Sequence, residues 1–545
     1  MRTTTRRAVL GAGIAAAGGS LLAACSKGSD SGSSAAPAPT ADLVSPDGKE
    51  VAAAEAKRGG GPVRKVALTA TPTRLDLGGR TVTTWAYGDR LPGREIRVTA
   101  GDTLAVTLAN HLPEPTSLHW HGLALRNDMD GVPGVTQRPV KAGASFDYRF
   151  AVAHPGTYWF HPHSGTQQDR GLYAPLIVED PKEPLAYDKE WVVVLDDWVD
   201  GVDGSTPDAV LAELSRGMGG MDHGGGSGGS GGMDHGGHGG HDMSHMSMTS
   251  KASGSSRTPA TAEPSPSPSG PSRMMMGATS PLLGGDAGDV AYPHYLVNGR
   301  TPEDPETFTA KPGDRVRIRF INAGGDTAFR VALGGHRMTV THTDGFPVEH
   351  RQADALLLGM GERYDVLVEV KDGVFPLTAL AEGKKRSALA LLRSGGGSAP
   401  DADVRPKELE AAPLTADRLR AHRSVALGER RPDRTITLRL TGSMAKYDWA
   451  INGRKYAPEP RYLVGSGERV RLVFVNDTEM WHPMHLHGHT FALPGRGPRK
   501  DTAIVLPGRR LAVDFDADNP GRWMVHCHNV YHSESGMMTL LGYRK

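Results

Sequence analysis

The sequence predicts an all-β protein of three consecutive Greek-key sandwich modules. Outside two low-complexity segments, short apolar runs with β-branched residues are punctuated by Gly, Pro and Asn. An internal repeat sets the architecture. Gly101-Asp102 leads through Leu104, Val106 and Leu108 to Asn110, Gly313-Asp314 through Val316, Ile318 and Phe320 to Asn322, and Gly467-Glu468 through Val470, Leu472 and Phe474 to Asn476. The glycine-to-asparagine spacing is nine each time (101 to 110, 313 to 322, 467 to 476), with period-2 apolar alternation between. A further glycine follows each asparagine by twelve: Gly122, Gly334 and Gly488. A turn, a half-buried strand and a second turn are being repeated. The 545-residue length agrees, being too long for one ordinary core.

The chain begins with Arg6-Arg7 before an Ala/Gly-rich apolar run from Ala8 to Ala24, a twin-arginine export pattern too short and glycine-rich for a membrane span. Leu22-Ala23-Ala24-Cys25 resembles a bacterial lipobox, which would make Cys25 the acylated first residue of the mature protein; the alternative is plain cleavage and secretion. Residues 1–25 are therefore read as signal, and 26–61, made of Ser, Gly, Ala, Pro and charge, as a flexible tether. The modules are expected over 62–184, 185–400 and 401–545. A Gly/Ser/Pro-rich insertion at about 216–286 in the middle one holds nine of the nineteen methionines.

Sixty-two basic residues against sixty-one acidic ones remove the electrostatic case for nucleic acid as partner. The two cysteines, Cys25 and Cys527, make no disulfide framework.

The histidines follow the repeat. Nine and eleven positions past the asparagines stand His119 and His121 in the first module and His485 and His487 in the third, but Val331 and Leu333 in the middle one. A second pair, His161-Pro162-His163, begins six residues after Pro155, and His526-Cys527-His528 begins six after Pro520. Spacing two on a strand puts both imidazoles of a pair on one face. Eight histidines at matched positions point to metal, though imidazole suits copper, zinc, iron or nickel alike. Cys527 names the metal. It points to the opposite face from His526 and His528, and His482, His532 and Met537 complete two imidazoles, one thiolate and a weak thioether, the donor set of a blue-copper electron-transfer site. Met538 is the other candidate for the axial position.

His119-Trp120-His121-Gly122, His161-Pro162-His163-Ser164, His482 through Gly488, and His526-Cys527-His528 through Met537 resemble the four copper signatures of three-domain multicopper oxidases, among them laccases, cuprous oxidases and copper-resistance oxidases. The resemblance runs from about residue 62 to the end. It implies cupredoxin-like domains and four copper ions. By it, His482, Cys527, His532 and Met537 hold the type 1 copper, and His119 and His485 the type 2 copper. His121, His161, His163, His487, His526 and His528 then hold the type 3 pair. It further implies one-electron oxidation of a reductant coupled to reduction of O2 to water, in a monomer. Asp130 matches the acidic residue kept beside the type 2 copper; its plain alternative is a turn aspartate. After His532 many relatives have an acidic residue where this chain has Ser533, leaving Glu534 as a candidate proton donor.

The reductant is read from the insertion. Met218, Met221, His223, Met233, His235, His238, His241, Met243, His245, Met246 and Met248 precede Met274-Met275-Met276. Thioethers are soft and favour Cu(I). Oxidation of Cu(I) at the outer face of the membrane, for copper detoxification, is the expectation. A laccase acting on phenols or aromatic amines, a ferroxidase, and a copper-sequestering lipoprotein are the alternatives.

Overall fold

A computed structural model describes residues 42–217 and 270–545. Three pairs of sheets follow one another along the chain. The first pair has two four-stranded sheets: Thr81–Tyr87, Val63–Asp76, Thr103–Asn110 and Ser145–Ala151 in that order, and Ile96–Thr99, Ala174–Glu179, Gly156–His161 and His119–His121. The second and third pairs each join a six-stranded to a five-stranded sheet. The repeat strands sit centrally in their sheets, each beside an earlier parallel strand: Thr103–Asn110 beside Val63–Asp76, Arg315–Asn322 beside Lys189–Trp198, Arg469–Asn476 beside Arg434–Thr441. Their alternating apolar residues, Leu104 through Phe474, are buried, as a strand with one face on the core requires.

The repeated asparagine is a clamp. Asn110 Nδ2 donates to the Glu114 and Val140 carbonyls, Asn322 Nδ2 to those of Thr327 and Leu358, and Asn476 Nδ2 to those of Met480 and Val505. Each Oδ1 accepts the backbone N–H two residues on. A buried side-chain amide thus satisfies the loop that leads into the next strand, which in modules one and three carries histidines.

Two low-complexity readings are corrected. Within the expected tether, Lys49–Arg58 is a helix with Val51 buried; its Glu55 accepts the Ala151 N–H, and Arg58 donates to Asn519. Leu43 bridges Arg544, so this arm joins the first module to the last strand. Composition hid it because only Leu43, Val44 and Val51 are needed to bury it. Within the expected insertion, residues 270–286 include the strands Thr279–Ser280 and Gly285–Asp286, and Met274 bridges Val290. Residues 407–421 run along the middle pair, with Leu414 bridging Leu356 and Ala421 bridging Val348.

Candidate metal centre

The eight repeat histidines meet where modules one and three face each other. His119 pairs with His161 across two strands of module one, and His485 with His526 across two of module three, the same register used twice. His119 stacks on His487 and His121 on His485, each at 3.8 Å between ring centroids.

Backbone carbonyls fix four of the eight rings. The Nδ1 atoms of His119, His161, His485 and His526 lie 2.8–2.9 Å from the carbonyl oxygens of Asp130, Pro162, Asp501 and Cys527. A carbonyl only accepts, so each Nδ1 carries the proton and each Nε2 presents a lone pair. The Nε2 atoms of His119, His161 and His485 are buried without a partner. His487, whose Nδ1 is held by Asp130 Oδ2 at 2.9 Å, turns Nε2 toward His526 Nε2 at 3.1 Å. Two lone pairs facing at that distance call for a cation. Burial first, then the neighbouring imidazoles, hold His121, His161, His163, His487, His526 and His528 far below the ordinary histidine range. They are neutral, as metal ligands must be.

Two aspartates hold this chamber by a crossed arrangement. Asp130 of module one accepts from His119 through its carbonyl and from His487 of module three through its carboxylate. Asp501 of module three accepts from His485 through its carbonyl, and its Oδ1 lies 3.0 Å from His121 Nε2 of module one. Asp130 is more than a turn residue. Asp501 was missed in the sequence: it stands fourteen residues past His487 (487 to 501), not nine as Asp130 stands past His121 (121 to 130).

On the other face of the strand Arg522–Cys527 lies a smaller set. Cys527 Sγ is 3.6 Å from His482 Nδ1 and 3.7 Å from His532 Nδ1, and the two nitrogens are 3.0 Å apart. Their outer nitrogens are occupied, His482 Nε2 by Thr478 Oγ1 at 2.8 Å and His532 Nε2 by Asp289 Oδ2 at 2.9 Å. One nitrogen of each imidazole and a sulfur therefore converge on one point. Burial would lower His532, but Asp289 outweighs it and holds the ring up to about 10, so a metal bound there displaces a proton. His532 rides on the helix Val530–Ser535, which Asn529 caps by accepting the Tyr531 and His532 N–H groups. Met537 is buried beside the set: its carbonyl accepts the Cys527 N–H at 3.1 Å and its N–H donates to the His532 carbonyl at 3.0 Å. Met538 packs instead with Val132, Val135, Met524 and Leu540, so Met537 is the better placed.

Glu534 lines a cavity of about 480 Å³ together with His163, Lys455, Tyr456, Met524 and Met538. Burial, with Asp208 adding, pushes its carboxyl up to about 7. Cys25 and the methionines and histidines from Met218 to Met248 lie outside the described residues. Among the described residues no helix is long and apolar enough to cross a membrane.

Family models described as multicopper oxidase match residues 69–183, 277–397 and 429–544. Multicopper oxidase MmcO of Mycobacterium tuberculosis is 46% identical, over 99% of this chain and 97% of its own. A copper resistance protein A homolog of Pseudomonas syringae pv. tomato is 30% identical, over 86% and 90%. The crystal structure of a multi-copper oxidase from Pseudomonas thermotolerans superposes with a TM-score of 0.62 at 27% identity, covering 88% of this chain and 99% of that one. Its converging imidazoles and thiol, its three sandwiches and these matches agree: the chain belongs to the multicopper oxidases, oxidoreductase enzymes with copper cofactors.

Proposed function

We propose that this chain is an exported, lipid-anchored oxidase whose reductant is Cu(I), coupling four one-electron oxidations to reduction of O2 to water in copper detoxification. The observation that carries the oxidase reading is the histidine chamber lying one residue, on either side, from the thiol of Cys527. In this reading His482, Cys527, His532 and Met537 hold the type 1 copper, and His119 and His485 the type 2 copper. His121, His161, His163, His487, His526 and His528 hold the type 3 pair. Four bound copper ions would supply the redox chemistry.

The residues themselves position and connect. His526, Cys527 and His528 are consecutive, so one stretch of backbone joins the two sites. His482 and His532 are both buried and capped by Thr478 and Asp289, so a donor does not touch an imidazole edge directly. Asp130, against His119 and His487, and Glu534, in the cavity that reaches His163, are the proposed proton-handling groups.

Cu(I) as reductant is supported by the methionines and by where their segment is attached. A Cβ on Gly217 would come within 2.4 Å of the Ala445 carbonyl, in the loop that carries Tyr447 and Trp449. On the far side, Met275 N–H donates to the Asp289 carbonyl at 2.7 Å, and Asp289 holds His532. Gly217 at one end, and Met275 five residues beyond the other end at Gly270, thus both lie beside residues that surround the proposed type 1 site. The test is oxygen consumption with Cu(I), Fe(II) and a phenol side by side on fully loaded protein, with Cu(I) expected to give the highest kcat/KM. A faster phenol makes the chain a laccase, a faster Fe(II) a ferroxidase. Uptake that stops at the bound copper makes it a store.

A further inference from the structure

The middle module has no histidine at the repeat positions, yet it reaches the chamber. Arg363, fully buried at the start of the strand Arg363–Glu369, sends its guanidinium into all three modules. Nε donates to the Thr157 carbonyl of module one at 3.1 Å, and Nη1 to the Gly361 carbonyl of its own module at 2.8 Å. Nη1 and Nη2 together clamp the Asp501 carboxylate of module three at 2.8 and 2.6 Å. Asp344 braces the arrangement, accepting the Arg363 N–H through Oδ1 and the Asp501 N–H through Oδ2.

The fit is close. Gly122, next to His121, has φ +87, and a Cβ there would lie 2.4 Å from Arg363 Nη2 and 2.6 Å from Asp501 Oδ2. A glycine at 122 is what lets the guanidinium approach.

The consequence falls on His121. Its Nε2 is taken by Asp501, and its Nδ1 faces His528 Nε2 at 3.2 Å. The rings with a carbonyl or carboxylate on Nδ1 present Nε2; this one is reversed. We propose that the middle module is a positioning element of the histidine chamber. Arg363 holds Asp501, and Asp501 selects the tautomer of His121 that presents Nδ1 to metal. This rests on the assignment of the eight histidines as copper ligands. A carboxylate behind an imidazole fixes its orientation and strengthens it as a donor, and its loss typically weakens metal binding about 10–100-fold. Lysine in place of arginine keeps the charge and loses the two-pronged contact.

The experiment compares Asp501→Asn, Arg363→Lys, Arg363→Met and His121→Ala with Asp365→Asn, which breaks the buried ion pairs to Arg317 and Arg319 and the hydrogen bond from the Thr157 hydroxyl but touches neither Asp501 nor His121. Copper per chain, the visible blue band, the near-ultraviolet band of the coupled pair, the type 2 paramagnetic signal and Tm are measured on each. Asp501→Asn and Arg363→Met should weaken copper binding in the chamber about 10–100-fold, with the near-ultraviolet band lost and the blue band kept. Arg363→Lys should fall between them and the parent. Asp365→Asn should lower Tm and leave every copper signal in place. Full chamber copper in Asp501→Asn overturns the proposal, as does loss of the blue band in step with the chamber. Should Arg363→Met fail to fold, the isosteric Asp501→Asn decides alone. His121→Ala retaining all its copper would instead overturn the ligand assignment.

Discussion

Asp289 Oδ2 lies 2.9 Å from His532 Nε2 and, at the same distance, accepts the hydroxyl proton of Tyr447. A carboxylate behind one imidazole of a blue-copper site makes that imidazole a stronger donor. In Asp289→Asn the site should bind copper about 10–100-fold more weakly, and its reduction potential should rise. Redox titration of the blue band checks both the direction and the site affected; an unchanged potential removes Asp289 from any tuning role.

Cys527→Ser should abolish the blue absorption and the oxidase activity together. The chain should still fold, since Cys527 makes no disulfide and burying one hydroxyl costs about 1–3 kcal/mol. Circular dichroism beside the visible spectrum separates loss of the site from loss of the fold. A variant that stayed blue would place the thiolate elsewhere.

His119→Ala and His485→Ala should behave alike, because the two residues are equivalents in modules one and three. Each should keep the blue band, lose the type 2 signal and reduce oxygen turnover to near background. A difference in kind between them would break the two-module site.

Removing residues 219–268 should leave the chain folded and blue, since a segment so rich in Gly, Ser, Pro and His cannot build a packed core. At limiting copper the rate of Cu(I) oxidation should fall severalfold, while phenol oxidation stays level or rises. Both rates are compared on fully loaded protein. Equal losses, or no loss for Cu(I), remove the delivery role and bring the laccase reading forward.

Asp365 should matter for stability alone. It is buried between Arg317 and Arg319, at 2.6 and 3.0 Å. Burial would raise its carboxyl, but the two guanidinium groups outweigh that and hold it well below the usual carboxylate range. Its contribution is therefore present above about pH 4 and fades only as stronger acid protonates it. Asp365→Asn leaves two buried cations underpaired and should cost about 3–5 kcal/mol, read as a fall in Tm across neutral pH.

The repeat made most of this legible from sequence. Asn110, Asn322 and Asn476 do the same task in three places, so they register the modules, and the histidines fall into pairs once the modules are aligned. What stayed hidden has a common cause. Asp501, Arg363 and Asp289 act across module boundaries, where nothing in the spacing of one segment reports on another. Asp501 also sits at a different distance from its histidines than Asp130 does, so aligning the repeats passes over it. The arm ending in Lys49–Arg58 escaped notice because one buried side chain in the helix, Val51, and two before it, Leu43 and Val44, are too few to colour a run of Ala, Lys and Glu.

The crossed aspartates make the chamber a shared structure. Each of modules one and three depends on the other's carboxylate to orient its second histidine: His487 waits for Asp130, and His121 for Asp501. A half-chamber on a lone module is therefore a poor trap for copper. Docking of the two modules is what supplies both contacts at once. Neither ring is held in place by its own module alone, so the geometry of the chamber is a property of the pair.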